Sequence, residues 1–342
     1  MSITEGQDLA TYDVVVVGGG AAGLSGALTL GRTRRSVLVV DAGEPRNAPA
    51  SGVHGFLTRD GTNPSELLEA GRAEVRRYGA RVIDGLVAWA VAVEGGFTVG
   101  LEDGRRVGAR RLLVATGLVD ELPDVPGVRE RWGRDVLHRP YCHGWEVRDQ
   151  AIGVLASGPL SVHQALLFRQ WSADVTFFSH TMPHPTDEQA EQLAALGISV
   201  VDGEVASLEV VEDRFVGVRL GDGRVVSRQA LAVSLRMTAC AGFLADLGVR
   251  AVEHPDGVGE HIASDATGRT EAPGVWVAGN VTDLAAQVGA AAAAGAAAAA
   301  QINADLVAEE TRQAVAVCRD PFSTETEARN CALVMGDRRH GL

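Results

Sequence analysis

Tyr12-Asp13-Val14-Val15-Val16-Val17-Gly18-Gly19-Gly20-Ala21-Ala22-Gly23 is the stretch whose reading decides the fold. Its unbroken run of valines predicts a short strand buried on both faces. The glycines Gly18-x-Gly20-x-x-Gly23 follow at once and open a helix expected from about Ala21 to Leu30. Glycines at this spacing allow a tight turn and let backbone N–H groups of Gly20, Ala21 and Ala22 approach a pyrophosphate at a helix N-terminus. Val37 to Asp41 reads as the next strand, and Asp41 at its end is placed to accept hydrogen bonds from ribose hydroxyls. A dinucleotide is therefore expected here.

Outward from this unit, apolar runs alternate with helical segments, the pattern of a doubly wound parallel sheet. A helix is expected over Pro64–Tyr78, a hairpin around Asp103-Gly104, and a buried strand over Arg111–Thr116. A second unit starts near Ala151 with a strand over Ile152–Ala156, a helix over Ser161–Trp171 and a strand over Val175–Phe178. Thr186-x-x-Gln189 suits a capping box at the head of another helix. A second hairpin turns at Asp222-Gly223, and Val275–Ala278 returns as a strand before an alanine-rich helix. The fold class expected is α/β, with two Rossmann-like three-layer nucleotide-binding domains, the second inserted into the first. The expected boundaries are 1–118, 119–246, 247–310 and a polar tail over 311–342.

Composition narrows the partners. The chain has 342 residues, 22% of them charged, and a net charge of −13 without a basic block. That argues against nucleic acid and anionic membranes. Met1–Ala10 has no apolar core of a signal peptide, and alanine is too weakly apolar to make Ala285–Ala300 a membrane span. The four cysteines Cys142, Cys240, Cys318 and Cys331 form no metal-ligand pairing or disulfide framework, so no metal is expected and the cytoplasm is the default location. His163, His180 and His184 read as surface or core residues rather than ligands.

Three further stretches resemble the flavin-dependent disulfide reductases of the low-molecular-weight thioredoxin reductase family. Leu112-Leu113-Val114-Ala115-Thr116-Gly117 is similar to the strand these enzymes place beside FAD. Gly274-Val275-Trp276-Val277-Ala278-Gly279-Asn280 resembles their second FAD motif, with Asn280 where the family has an aspartate. Gln287-Val288 matches the family's contact with the flavin pyrimidine ring. The resemblance covers about residues 12–310 and implies FAD, held by Gly18, Gly20, Ala21, Ala22, Gly23, Asp41, Arg46, Thr116, Gly117, Gly279, Asn280, Gln287 and Val288. It also implies a homodimer.

Arg139-Pro140-Tyr141-Cys142-His143 stands where the family carries Cys-x-x-Cys, and dithiol oxidases are among the relatives with Cys-Pro-Tyr-Cys. By this resemblance the flavin-facing thiol, Cys142, is kept and the substrate-exchanging thiol is replaced by Arg139. One cysteine cannot close a redox disulfide alone. Arg139 near Cys142 would favour its thiolate, and His143 stands where the family has an acid–base group. Both Cys142 and His143 are catalytic candidates, with a vestigial thiol and a structural histidine as the plainer readings. His54 falls in a loop that lies near the flavin in relatives. Where the family binds NADPH, Ala156-Ser157-Gly158-Pro159-Leu160-Ser161 keeps one glycine, and Phe177–Met182 has no arginine for a 2′-phosphate. The function expected is oxidation of a small, possibly thiol-bearing metabolite by an FAD-dependent oxidoreductase. NADPH is not its normal donor, and oxygen or a protein serves as acceptor. The alternatives are a reductase fed by a protein donor or by Cys318 and Cys331, and a flavin redox sensor without turnover.

Overall fold

The computed structural model describes residues 9–320 and, past them, 324, 327, 328 and 331. β1 (Thr11–Val17), α1 (Ala21–Arg32), β2 (Val37–Asp41), α2 (Pro64–Arg77) and β3 (Arg81–Asp84) come first, with the three strands parallel. β4 (Val87–Val93), β5 (Gly96–Leu101) and β6 (Arg106–Val114) form an antiparallel meander that returns β6 alongside β1. The strand order is β3-β2-β1-β6-β5-β4. Alternate valines of β1 serve different cores. Val14 and Val16 pack toward the helices, whereas Val15 and Val17 pack toward β4, β5 and residues near Leu244.

The chain then leaves through β7 (Leu118–Glu121) into α3 (Val128–Arg131), β8 (Val136–Leu137) and α4 (Pro140–His143). β9 (Ile152–Leu155), α5 (Ser161–Phe168), β10 (Val175–Phe178), α6 (Asp187–Ala195) and β11 (Ser199–Val201) follow. β12 (Val205–Val211), β13 (Arg214–Leu220) and β14 (Val225–Ser227) make a separate antiparallel sheet, and β15 (Ala230–Val233) returns beside β9. The second parallel sheet has the order β11-β10-β9-β15-β8. Thr186 and Gln189 form the expected capping box on α6. α2 begins at Pro64 as read, with the Asn63 side chain accepting from the Ser65 N–H.

Re-entry runs through β16 (Arg236–Ala239), which pairs antiparallel with β7, and through β17 (Ala251–Glu253) and β18 (Gly259–Ile262). The outgoing and returning strands thus lie side by side, as an insertion requires. β19 (Val275–Val277) rejoins the first sheet against β6, and α7 (Val288–Arg319) follows. The structure is the mixed α/β architecture expected, with one parallel-strand unit inserted into another.

The alanine-rich run is the packed first half of α7. Its small residues let the helix settle onto α1, where a Cβ on Gly26 would lie 3.1 Å from the Gly295 carbonyl oxygen. The segment past Glu310, read only as a polar tail, is helical to Arg319. Glu309 and Glu310 are tied to the first sheet by Arg35, Arg110 and Arg111, with Asp305 also on Arg111. Among the described residues no helix is long and apolar enough to cross a membrane.

Candidate active site

Gly18 and Gly23 of the first loop have separate steric reasons. Gly18 has φ +106°, and a Cβ there would lie 2.4 Å from the Ala115 carbonyl oxygen. A Cβ on Gly23 would lie 1.9 Å from Gly18 O, so this glycine lets α1 close on β1. Gly20 is different: a Cβ there meets no protein atom within 4 Å. α1 has no side-chain cap and no acid in its first turn, which leaves its N-terminal donors available to an anion. Asp41 faces this loop, accepting from Gly19 N at 3.1 Å and from Arg72 Nη2 at 2.6 Å.

These groups border one cleft of about 790 Å³. Gly18, Gly20, Ala21, Ala22 and Asp41 line it from the first unit, and Thr116, Gly117, Gly279 and Asn280 from the ends of β6 and β19. Gln287 and Val288, at the head of α7, also line it, together with Cys142 and His143 of α4. Gly23 is the one expected site residue that does not reach the cleft. Arg46 lines it, but its guanidinium is held by Asp120 in a bidentate pair at 2.7 and 2.5 Å. The cleft suits FAD on two observations besides its size. Thr116 Oγ1 is buried without a partner in the protein, and Gly20 leaves open space at the helix end.

The redox segment is a single helical turn capped by Arg139. Burial lifts the Cys142 thiol above its ordinary range, outweighing the pull of Arg139 and Arg46 in the other direction. Arg139 does pull Cys142 toward the thiolate, as expected, but burial is the larger influence and the net shift is upward. The guanidinium is spent on backbone carbonyls, donating to Leu284, to Ala285 at 2.7 Å and to Ala286 at 3.2 Å. Burial also lowers His143, with His54 adding to the effect and Glu146 opposing it, so its imidazole is neutral near pH 7. His54 Nε2 lies 3.5 Å from Glu146 Oε1, which places the Gly52–Phe56 loop against the α4 segment.

Three cleft residues, Cys240, Asp120 and His138, and Arg72 behind Asp41 are marked by no motif in the sequence. Cys240 lines the cleft beyond β16, where a lone cysteine outside any motif gives no hint of position. Asp120 and Arg72 act through Arg46 and Asp41 across long sequence separations. His138 precedes the Arg139–Cys142 stretch and was readable only by adjacency. Its Nδ1–H donates to Val233 O at 3.1 Å, leaving Nε2 as the acceptor, and burial pushes its pKa down to about 4.

The second nucleotide loop is filled from within. Ser161 Oγ accepts from both Ser157 N and Gly158 N at 3.2 Å and lies 3.0 Å from Ser234 Oγ. Ser157 Oγ in turn donates to Ser234 O at 2.9 Å. The amides that would meet a phosphate are thus already satisfied, and Ser161 is buried. His180 Nδ1 accepts from Val205 N, and His184 lies 3.3 Å from Asp202. Among the described residues no group of three or more His, Cys, Asp or Glu could hold a metal ion.

Comparison with known proteins agrees with this geometry. Residues 12–300 match the family described as Pyridine nucleotide-disulphide oxidoreductase. The chain is 33% identical over 246 residues to Thioredoxin reductase tcpT of Claviceps purpurea (strain 20.1), covering 69% of this chain and 76% of that one. A Probable thioredoxin reductase of Arthroderma benhamiae (strain ATCC MYA-4681 / CBS 112371) is 37% identical over 156 residues, covering 44% of this chain and 38% of that one. The crystal structure of HlmI superposes with a TM-score of 0.84 at 48% identity, covering 90% of this chain and 96% of that one. With a glycine loop, an acid at β2 and a cleft reaching α4 and α7, the chain belongs to the pyridine nucleotide-disulphide oxidoreductase family, as a thioredoxin reductase-like, FAD-dependent oxidoreductase.

Proposed function

We propose that this flavoenzyme oxidises a small thiol-bearing metabolite and does not take its electrons from NADPH. The observation that carries the reading is Ser161, whose hydroxyl occupies the two amides a dinucleotide phosphate would need. Pro159 removes a further donor from the same loop. A substrate with two thiols brings both sulfurs of the disulfide itself, so a second cysteine at position 139 is not required. Closing that disulfide releases two protons and two electrons. The neutral His143 beside Cys142 can take a proton. FAD supplies the two-electron acceptor, and dioxygen can remove the pair as hydrogen peroxide. Homodimerisation, on the family resemblance, and a cytoplasmic location, on the cysteine usage, belong to this proposal.

The thioredoxin reductases among the relatives favour a second reading, disulfide reduction fed through cysteines of the chain. One distance weighs against it. Cys318 lies thirty residues beyond Val288 on an unbroken helix, about 45 Å from the cleft end of α7 at 1.5 Å per residue. Anaerobic titration of the purified yellow protein decides between the readings. NADPH is expected to leave the oxidised flavin band unchanged, a dithiol to bleach it, and air to restore it. Stoichiometric bleaching by NADPH would replace the oxidase reading with a reductase.

A further inference from the structure

Arg139 and Asn280 come from different units, one capping α4 next to β8, the other in the turn after β19, yet they grip the same carbonyls. Arg139 Nη2 donates to Leu284 O, and Nη1 donates to Ala285 O at 2.7 Å and Ala286 O at 3.2 Å. Asn280 Nδ2 donates to Asp283 O at 3.0 Å, Leu284 O at 3.5 Å and Ala286 O at 2.9 Å. Leu284 and Ala286 therefore each accept from both side chains. Among the described residues no carboxylate lies within ion-pairing distance of Arg139, so backbone dipoles and the Met237 sulfur at 4.0 Å are its partners. An aspartate at 280 would set carboxylate oxygen against three carbonyl oxygens, so this position needs an amide donor.

The gripped turn runs directly into Gln287, the N-cap of α7, which lines the cleft with Val288. We infer that Arg139 and Asn280 are a coupled pair of positioning residues that fix the Asp283–Ala286 turn and hold the head of α7 against bound FAD. The two are ordered in a hierarchy. Asn280 gathers the carbonyls locally, and only gathered carbonyls can receive the fork of Arg139 from the other unit. The same arrangement sets an unpaired guanidinium in the wall of the cleft, where a fixed positive charge favours the more negative, reduced flavin. The inference rests on FAD as cofactor and on no reading of the substrate.

The test is a double-mutant cycle on the full chain, read as the dissociation constant of FAD and the midpoint potential of the bound flavin. R139M is expected to weaken FAD about 10-fold in the wild-type background, the scale of a lost hydrogen bond from a charged donor. In the N280A background the same change should weaken FAD less than about 3-fold, because the turn is already released. R139M should lower the flavin potential, while R139K should keep the potential and still lose affinity. Equal factors in the two backgrounds, or an R139M protein with wild-type affinity and potential, overturn the inference. Should R139M not accumulate as soluble protein, R139K with and without N280A carries the same comparison. A wild-type protein that failed to bind FAD would contradict the cofactor and not the coupling.

Discussion

Gly295 of α7 lies so close to Ala22 of α1 that a Cβ on it would sit 1.9 Å from the Ala22 carbonyl oxygen. Backbone cannot give way as a flexible side chain does, so the contact fixes the spacing of two helices whose N-termini both face the cleft. Gly295→Ala is expected to destabilise the protein by about 2 kcal/mol or more, and to shed FAD along with stability. Thermal melting followed by both circular dichroism and flavin fluorescence checks this. An unchanged melting temperature would show that α1 and α7 can separate freely.

Gly20 makes the opposite prediction, because a Cβ there meets no protein atom within 4 Å. Gly20→Leu should purify colourless and melt close to the FAD-free wild type. A variant that remained fully yellow would contradict the placement of the cofactor.

Ser161→Ala removes the acceptor for two backbone amides and leaves them unsatisfied in a tight loop. A loss of about 1–3 kcal/mol is expected in urea unfolding. NADPH should still fail to bleach the flavin, since Pro159 offers no N–H in place of the lost contacts. Bleaching in this variant would mean that the hydroxyl alone had kept the nucleotide out.

His138 should make the protein acid-sensitive. Its folded pKa of about 4 lies below the ordinary 6.5, with burial the main cause. The unfolded chain therefore binds the proton first as pH falls. The stabilising contribution is whole above pH 6.5 and is lost once pH drops through about 4. At about 1.4 kcal/mol per unit this amounts to about 3 kcal/mol. His138→Gln should flatten the stability profile across this window, and an unaltered profile would assign the acid sensitivity to other groups.

The Cys142 thiol, raised by burial, should alkylate slowly at pH 7 and faster as pH climbs past 9. Because Arg139 pulls against the burial, Arg139→Met should move that profile further toward high pH. Rapid alkylation of the wild type at neutral pH would show a thiolate after all.

The cofactor-binding half was legible because its constraints are local. Gly18 and Gly23 are needed within a dozen residues of the strand they serve, and the valine runs of β1 and β2 state their own burial. Contacts over long separations left no such trace. Glu309 and Glu310 look like the charges of a solvated tail, and only the fold shows them paired with Arg35 and Arg110, about 200 residues or more away. Arg139 and Cys142 were found together, but the sign of the thiol shift turned on burial, which three-residue spacing does not reveal. Ser161 resembles any small residue at a helix start until Ser234 is seen across from it.

The closed loop at Ser157–Ser161 also bears on how such a protein can change. A site lost by decay leaves a gap that one substitution can refill. Here the polar groups have found one another, so replacing Ser161 strands two amides, and replacing Pro159 leaves the serine hydroxyl in place. The step back through Ser161 passes through a less stable chain, and the step through Pro159 alone leaves the amides occupied. On the proposed reading the rearrangement acts as a ratchet, and a chain that has made it takes its electrons from somewhere other than a second nucleotide.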